Sequence, residues 1–276
     1  MTQATQSPSP RGELSPAVEA AAKRLVTAAR TRVPCQPVRD LIGSDDIDAA
    51  YAVQAQLTRD RLAEGAQVVG RKIGLTSPAV QRQLGVDRPD FGVLFDDMDV
   101  SSQAEVPSAR LLQPKTEAEV AFVLAVDLDE GPLDVEQVRG AVAYAVAALE
   151  IVDSRVAGWD ITFGDTVADN ASSGLFVLGE RRLTLDEFSP VEVMMTMTLD
   201  GEVVSEGSGA ACLGDPLNAL SWLARTARDL GDPLRAGQVI LSGALGPMTP
   251  TPPGSVVSAD LGALGTIGAT FSGKDV

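Results

Sequence analysis

The sequence contains no histidine. That absence excludes Ser-His-Asp triads, Cys-His dyads, His-ligated zinc and any imidazole general base, so acid–base work falls to Asp, Glu, Lys, Tyr or water. Cysteine is limited to Cys35 and Cys212, too few for a disulfide framework or a thiolate zinc site. Lysine is scarce as well: Lys23, Lys72, Lys115 and Lys274 stand against 18 arginines. In so arginine-rich a chain, a lysine in an ordered segment hints at a use for an ammonium group. Positive charge as a whole is in deficit. A net charge of −16 and a pI near 4.3 argue against nucleic acid and anionic membranes as partners, since both require basic patches. No apolar run approaches the roughly 20 residues that span a bilayer. Residues 1–10 are rich in Ser, Thr, Gln and Pro and lack the basic start and apolar core of a secretory leader. The expected compartment is the cytoplasm.

What is present suits a globular chain with a substantial core. Of 276 residues, 45% are hydrophobic and 22% charged, enough for one large or two modest domains. Residues 1–13 read as a tail without structure. Ser15-Pro16 pairs an N-cap with proline at the first helical position, and Val18, Ala21, Ala22, Leu25 and Ala29 follow helical spacing to about Arg32. Ser44 is the expected cap of a second helix from about Asp46 to Glu64, closed by Gly65. Residues 14–66 thus form a helical N-terminal part.

From Gln67 the period changes to that of strands. Val68 to Leu75 reads as a glycine-broken strand, Ser77 or Pro78 to Leu84 as a short helix, and Asp87 to Gly92 as a turn-rich loop. Val93 to Phe95 is a short strand, and one or two more are expected between Asp96 and Ala109. Thr116 to Val126 is a strand, Val135 to Val146 a helix, and Ala148 to Arg155 a strand. Asp165 to Gly174 is small and polar, the pattern of a loop, before a strand from Leu175 to Gly179. Asp200-Gly201 marks a hairpin between Val191–Leu199 and Val203–Glu206. Asp215-Pro216 opens a helix closed by Gly231. Strands near 238–243, 255–258 and 266–271 complete an α+β architecture, with a helical cap on a β-rich body spanning 67–276.

The chemistry gathers around Glu117 and Glu119. Two residues apart on a strand, they face the same way. Like charges beside a core are costly to desolvate unless a proton or a cation compensates them, and a hard divalent metal takes oxygen ligands. An exposed strand end with a solvated acidic face has the same spacing. Glu150, on a second strand with an apolar flank, supplies a third carboxylate for Mg²⁺ or Mn²⁺; its alternative partner is an arginine such as Arg155. Lys72 lies in the glycine-flanked strand, where a buried amine can lose proton affinity and carry protons, or can anchor a carboxylate such as Asp90. Asp169 to Gly174 suits either a ligand-binding loop or a turn feeding a strand. Gly243 to Pro247 suits either backbone N–H groups facing a ligand carboxylate or a simple bend. Trp159, Trp222, Met194, Met195 and Met197 read as packing residues.

Five blocks occur in consistent order: Gly70-Arg71-Lys72-Ile73-Gly74-Leu75-Thr76, Gly85 to Gly92, Glu117-Ala118-Glu119, Asp165 to Ser172, and Gly243-Ala244-Leu245-Gly246-Pro247-Met248. Together they closely resemble the 2-keto-4-pentenoate hydratases of the fumarylacetoacetate hydrolase superfamily, over roughly Val38 to Phe271. The resemblance implies a mixed β-rich core like the fumarylacetoacetate hydrolase C-terminal domain. The implied enzyme is a metal-dependent lyase of meta-cleavage aromatic catabolism that adds water to 2-hydroxypenta-2,4-dienoate to give 4-hydroxy-2-oxopentanoate. It places metal ligands at Glu117, Glu119 and Glu150, and catalytic residues at Lys72, Asp90 and Ser172. Leu75, Phe91, Gly243, Ala244 and Leu245 join Ser172 as substrate-binding residues. It further implies a homo-oligomer and association with a decarboxylase paralogue or a downstream aldolase. The alternatives are a 4-oxalocrotonate decarboxylase, an acylpyruvate-type hydrolase, which the missing histidine disfavours, and a non-catalytic partner subunit.

Overall fold

Residues 15–77, 81 and 88–273 are described in a computed structural model. Ser15 opens helix α1 (Pro16–Thr31) by accepting the Val18 N–H on its hydroxyl at 3.3 Å. A single turn, α2 (Arg39–Ile42), precedes α3 (Ile47–Ala63). The cap of α3 is Asp46, which accepts the Ala49 N–H at 2.9 Å; Ser44, the expected cap, lies two residues too far upstream. Val18, Ala21 and Leu25 of α1 bury against Ala50 and Val53 of α3 and against Phe163, Val167 and Ala168 from much later in the chain. Those last three lie on α5 (Phe163–Ala168), so the segment expected to be a loop starts as a helix. Thr162 and Asp165 form its capping box, a signal hidden by the small polar residues around it. Asp165 also accepts the Val38 and Arg39 N–H groups, each at 2.9 Å, and pairs with the Arg39 guanidinium at 2.7 Å. One buried carboxylate thus binds the N-terminal helices to α5.

The body holds two sheets. The larger orders its strands as β2 (Asp90–Phe95), β1 (Val68–Gly74), β8 (Val239–Ala244), β3 (Lys115–Leu124), β4 (Val142–Val152) and β5 (Ser173–Leu178), with the short β9 (Thr249–Pro250) also on β3. The smaller orders β11 (Thr266–Thr270), β10 (Val256–Asp260), β6 (Met194–Leu199) and β7 (Glu202–Ser208), with Asp200-Gly201 at the β6–β7 hairpin as expected. Alternation along β3 divides the core. Val120 and Phe122 face the main core with Leu149, Ile151 and Ile240, where Leu220 and Leu223 of α6 (Pro216–Asp229) and Met195, Val257 and Ile267 of the small sheet also pack. Ala121 faces the other way, onto Val146, Ala148, Phe176 and Leu241. Glu117 and Glu119, four and two residues earlier, lie on that second face.

Three further expectations are corrected. Helix α4 (Val135–Ala141) ends five residues early, because Val142 to Val152 pair along β3 and cross-strand packing overrides the alanines' helical preference. Asp90 to Gly92, expected in a loop, begin β2 paired to β1. Residues 96–109 hold 3₁₀ turns and isolated bridges, Asp99 with Phe176 and Val106 with Phe271, and no further strand. The helix expected from Ser77 or Pro78 to Leu84 lies largely outside the described residues.

The buried Gln54 of α3 joins the helices to the sheet. Its amide donates to the carbonyls of Phe91 at 2.8 Å and Val167 at 3.0 Å. Gln54→Leu keeps the volume and removes both bonds, so urea unfolding is expected to show a loss of about 2 kcal/mol. An unchanged midpoint would mean that water replaces the amide.

Candidate active site

Pairing of β3 with β4 sets Glu117 directly opposite Glu150, and Glu119 lies between Ala148 on β4 and Ala244 on β8. Oxygens of the three carboxylates lie within 4.8 Å of one another. Lys72 reaches the same place from β1, its ammonium 3.1 Å from Glu150 Oε1. Asp90, opposite Gly74 at the start of β2, completes the group. A side chain at Gly74 would collide with Asp90 Oδ1 and come within 3.3 Å of the Lys72 ammonium, so glycine there lets acid and amine share the space. Glu150 therefore pairs with Lys72, whereas Arg155, its expected alternative partner, binds Asp169.

These groups are deeply buried: Lys72, Asp90, Glu119 and Glu150 each expose 3% or less, while Glu117 is half-buried. Desolvation raises the proton affinity of every carboxyl here. Glu117 is pushed up to about 7, by burial first and then by Glu150, against the pull of Lys72. Glu119 is held well above the usual range by burial and by repulsion from Glu150 and Glu117. Glu150 and Asp90 are raised by burial despite Lys72. For Lys72 burial acts downward, but Glu150, Asp90, Glu117 and Glu119 outweigh it and hold the amine above its ordinary value. The expectation of a lysine that easily loses its proton is thus reversed for this arrangement of charges. Among the described residues, Glu119 Oε1, both Glu150 oxygens and Asp90 Oδ1 are buried without a hydrogen-bond partner, the Lys72–Glu150 contact at 3.1 Å being an ion pair. Partnerless carboxylate oxygens from three side chains are the donor set a hard divalent cation takes.

Ser172 reaches this group by an unusual backbone path. Asn170, Ala171 and Ser172 all adopt left-handed conformations, with φ of +54°, +50° and +52°. Each such non-glycine residue costs about 1 kcal/mol or more, so the surroundings must enforce the path. The Asn170 side chain accepts the Val93 N–H at 2.7 Å and donates to the Val93 carbonyl at 2.9 Å. Asp153 donates its N–H to the Ser172 carbonyl at 2.8 Å, and Arg155 clamps the Asp169 carboxylate and the Ser173 carbonyl. Thr166 joins the segment to the acid–base group: its hydroxyl donates to Asp90 Oδ2 at 3.2 Å and lies 3.4 Å from Ser172 Oγ. Sequence reasoning quoted this block yet missed Thr166 and Asn170, because only the capping box and the left-handed run turn them inward.

The other expected substrate residues divide. The Gly243 N–H donates to Glu119 Oε2 at 2.8 Å, and Ala244 is half-buried opposite Glu119. Leu245 is wholly buried in the main core, and Phe91, one residue beyond Asp90, packs into that core and stacks on Tyr51 at 5.3 Å. Leu75 packs among the N-terminal helices with a φ of +57°. Neither the Phe91 nor the Leu245 side chain joins the carboxylates. A separate cavity of about 920 Å³ opens beside α1 and α3, lined in part by Arg61, Asp97, Arg155 and Asn170; Lys72 and the three glutamates do not border it.

Residues 73–272 match the family described as fumarylacetoacetate (FAA) hydrolase C-terminal. The chain belongs to the fumarylacetoacetate hydrolase family. Within that family it is 52% identical over 252 residues to a 2-keto-4-pentenoate hydratase of Burkholderia vietnamiensis, an alignment covering 91% of this chain and 96% of that protein. It is 51% identical over 256 residues to the TodF product hydratase of Pseudomonas putida, covering 93% and 96% of the two chains. Among solved structures, 4-oxalocrotonate decarboxylase from Pseudomonas putida G7, complexed with magnesium and adipate, superposes with a TM-score of 0.89 at 32% identity. That match covers 95% of this chain and all of the decarboxylase. The α+β fold and the family resemblance read from the five motif blocks agree with these matches.

Proposed function

We propose that this chain is a divalent-metal-dependent hydratase that converts 2-hydroxypenta-2,4-dienoate to 4-hydroxy-2-oxopentanoate. The observation that carries the reading is the identity of 50–52% to 2-keto-4-pentenoate hydratases over nearly the whole chain, against 32% to the decarboxylase. Glu117, Glu119 and Glu150, whose oxygens lie within 4.8 Å of one another, would hold Mg²⁺ or Mn²⁺, and the oxygens of Glu119 and Glu150 that lack hydrogen-bond partners among the described residues suit that cation. When bound, that cation acts as a Lewis acid toward the oxygens of the 2-hydroxy acid and offsets the carboxylate field around Lys72.

The chain's own residues then handle protons and position. Lys72, kept protonated by its carboxylate neighbours, delivers a proton to C5 of the dienoate, with the loss of the C2 hydroxyl proton giving a 2-oxo-3-enoate. Asp90, held beside it through Gly74 and oriented by Thr166, returns the proton to the amine. Ser172 holds the substrate carboxylate, and Glu117, the most accessible of the three glutamates, orients the water that adds at C4 while C3 is protonated. The Gly243 N–H fixes Glu119 and Ala244 borders the site. Residues 14–66 act as a helical cap on the catalytic body at 67–276. The enzyme works in the cytoplasm as a homo-oligomer and associates with a decarboxylase paralogue or a downstream aldolase. Among the described residues no helix is long and apolar enough to cross a membrane.

Chelator-treated protein is expected to consume the dienoate only after Mg²⁺ or Mn²⁺ is restored, with 4-hydroxy-2-oxopentanoate as product. Metal-independent turnover would overturn the reading. The second reading, decarboxylation, is favoured by the TM-score of 0.89 to the decarboxylase, and on it 4-oxalocrotonate would release CO₂.

Cation binding must displace the protons that burial and repulsion retain, with Glu117 pushed up to about 7. Apparent Mn²⁺ affinity therefore weakens as pH falls through about 7, by up to about tenfold per pH unit for each proton displaced, and levels off once the carboxyls have lost their protons. Calorimetric titration at pH 6 and pH 8 checks this; equal affinities would contradict it.

A further inference from the structure

We propose that Lys115, seated on Trp159, is the cation at the mouth of the site that captures and orients the carboxylate-bearing substrate. The inference rests on the reading of an anionic 2-hydroxydienoate as substrate. Lys115, Glu117 and Glu119 occupy alternate positions of β3 and so form one row on one face, spaced by about 7 Å along the strand. The row deepens along its length: Lys115 and Glu117 are half-buried and Glu119 is fully buried. Lys115 thus stands at the outer end of the line of carboxylates.

Its ammonium lies 4.2 Å from the centre of the Trp159 ring, a cation–π seat that fixes the charge without neutralising it. Among the described residues it has no carboxylate within 4.0 Å, in contrast to Lys72, which Glu150 holds at 3.1 Å. The ring is itself anchored. Trp159 Nε1–H donates to the Gln113 carbonyl at 3.0 Å, and the Gly158 N–H donates to Gln113 Oε1 at 2.8 Å. Gln113 Nε2 in turn donates to the carbonyls of Ser154 and Val156, each at 2.9 Å. Gly158 and Trp159 both take left-handed conformations, with φ of +64° and +56°, and this tight turn sets the indole under the lysine.

The need for such a charge follows from the surroundings. A chain of net charge −16 with three carboxylates at its site repels an anion on approach. An exposed-side cation that is held in place and left unpaired reverses that field locally, where low-dielectric walls concentrate it.

The test uses the full-length, Mn²⁺-loaded protein and its Lys115→Met and Lys115→Arg variants. KM and kcat for 2-hydroxypenta-2,4-dienoate are measured at low and high salt, and the affinity for pyruvate, a simple 2-oxo acid, by calorimetry. Lys115→Met, which keeps the apolar stem, is expected to raise KM and weaken pyruvate binding about tenfold at low salt, with kcat within about twofold of wild type. Screening at 0.5 M NaCl is expected to shrink the difference to about twofold, and Lys115→Arg to restore most of the loss. Unchanged KM and pyruvate affinity, or a fall confined to kcat, would overturn the proposal. Should the wild type bind pyruvate but fail to hydrate the dienoate, the hydratase reading falls, and the pyruvate comparison still decides the role of Lys115.

Discussion

Glu119→Gln is expected to lower kcat on the order of 10³-fold, while the metal-free protein becomes as stable as the wild type or more so. The amide keeps the volume and keeps an oxygen to accept the Gly243 N–H, now made at 2.8 Å by Glu119 Oε2. It removes a charge that is fully buried, repelled by Glu150 and Glu117, and partnerless at Oε1. Without a cation that charge is a cost to folding; with one it is a ligand whose loss forfeits several kcal/mol of transition-state stabilisation. Thermal melts with and without Mn²⁺ separate the two effects: wild type gains stability from the metal and the variant gains little. A variant that retains wild-type turnover and the full metal-induced shift would remove Glu119 from the metal site.

Lys72→Met is expected to show the opposite split. Its kcat falls by about 10²- to 10⁴-fold, the range for loss of a positioned proton donor, yet Mn²⁺ still binds, because a competing positive charge has left the cluster. The metal-free form loses stability instead: Glu150 is stripped of the ammonium at 3.1 Å and takes up a proton or unfolds more readily. Mn²⁺ is expected to recover much of that loss. Near-normal turnover by metal-loaded Lys72→Met would remove the lysine from the proton transfer. Together the two variants distinguish a residue that holds the cation from one that serves the substrate.

The convergence of Glu117, Glu119 and Glu150 was legible because a strand's period of two is rigid and β3 and β4 pair without a shift across these residues. The helix starts at Ser15 and Asp215 and the Asp200-Gly201 hairpin were legible for a similar reason, as their signals are local and chemical. The same period also placed Lys115 in line with the glutamates and set Phe91 against Asp90, yet neither consequence shows in a motif comparison. What stayed hidden depends on distant partners. Asp90 and Gly92 read as a loop because Pro89 and glycine punctuate it. Yet Gly92 belongs to β2, pressed so closely against the Asn170 carbonyl and Ser173 Oγ that no side chain fits. The Val135–Val146 helix failed at Val142 because alanine-rich sequence suits either state until β3 supplies a partner. The reversal at Lys72 had the same origin: burial was foreseeable, but the balance turned on four carboxylates drawn from three strands.

On the hydratase reading, this cluster serves hydration of a dienoate. The most direct measurement supplies Mn²⁺-loaded protein with 2-hydroxypenta-2,4-dienoate and, separately, 4-oxalocrotonate, following loss of dienoate absorbance, product identity and CO₂. The expected result is rapid formation of 4-hydroxy-2-oxopentanoate from the first and no CO₂ from the second. Release of CO₂ from 4-oxalocrotonate with the dienoate left unhydrated would contradict it.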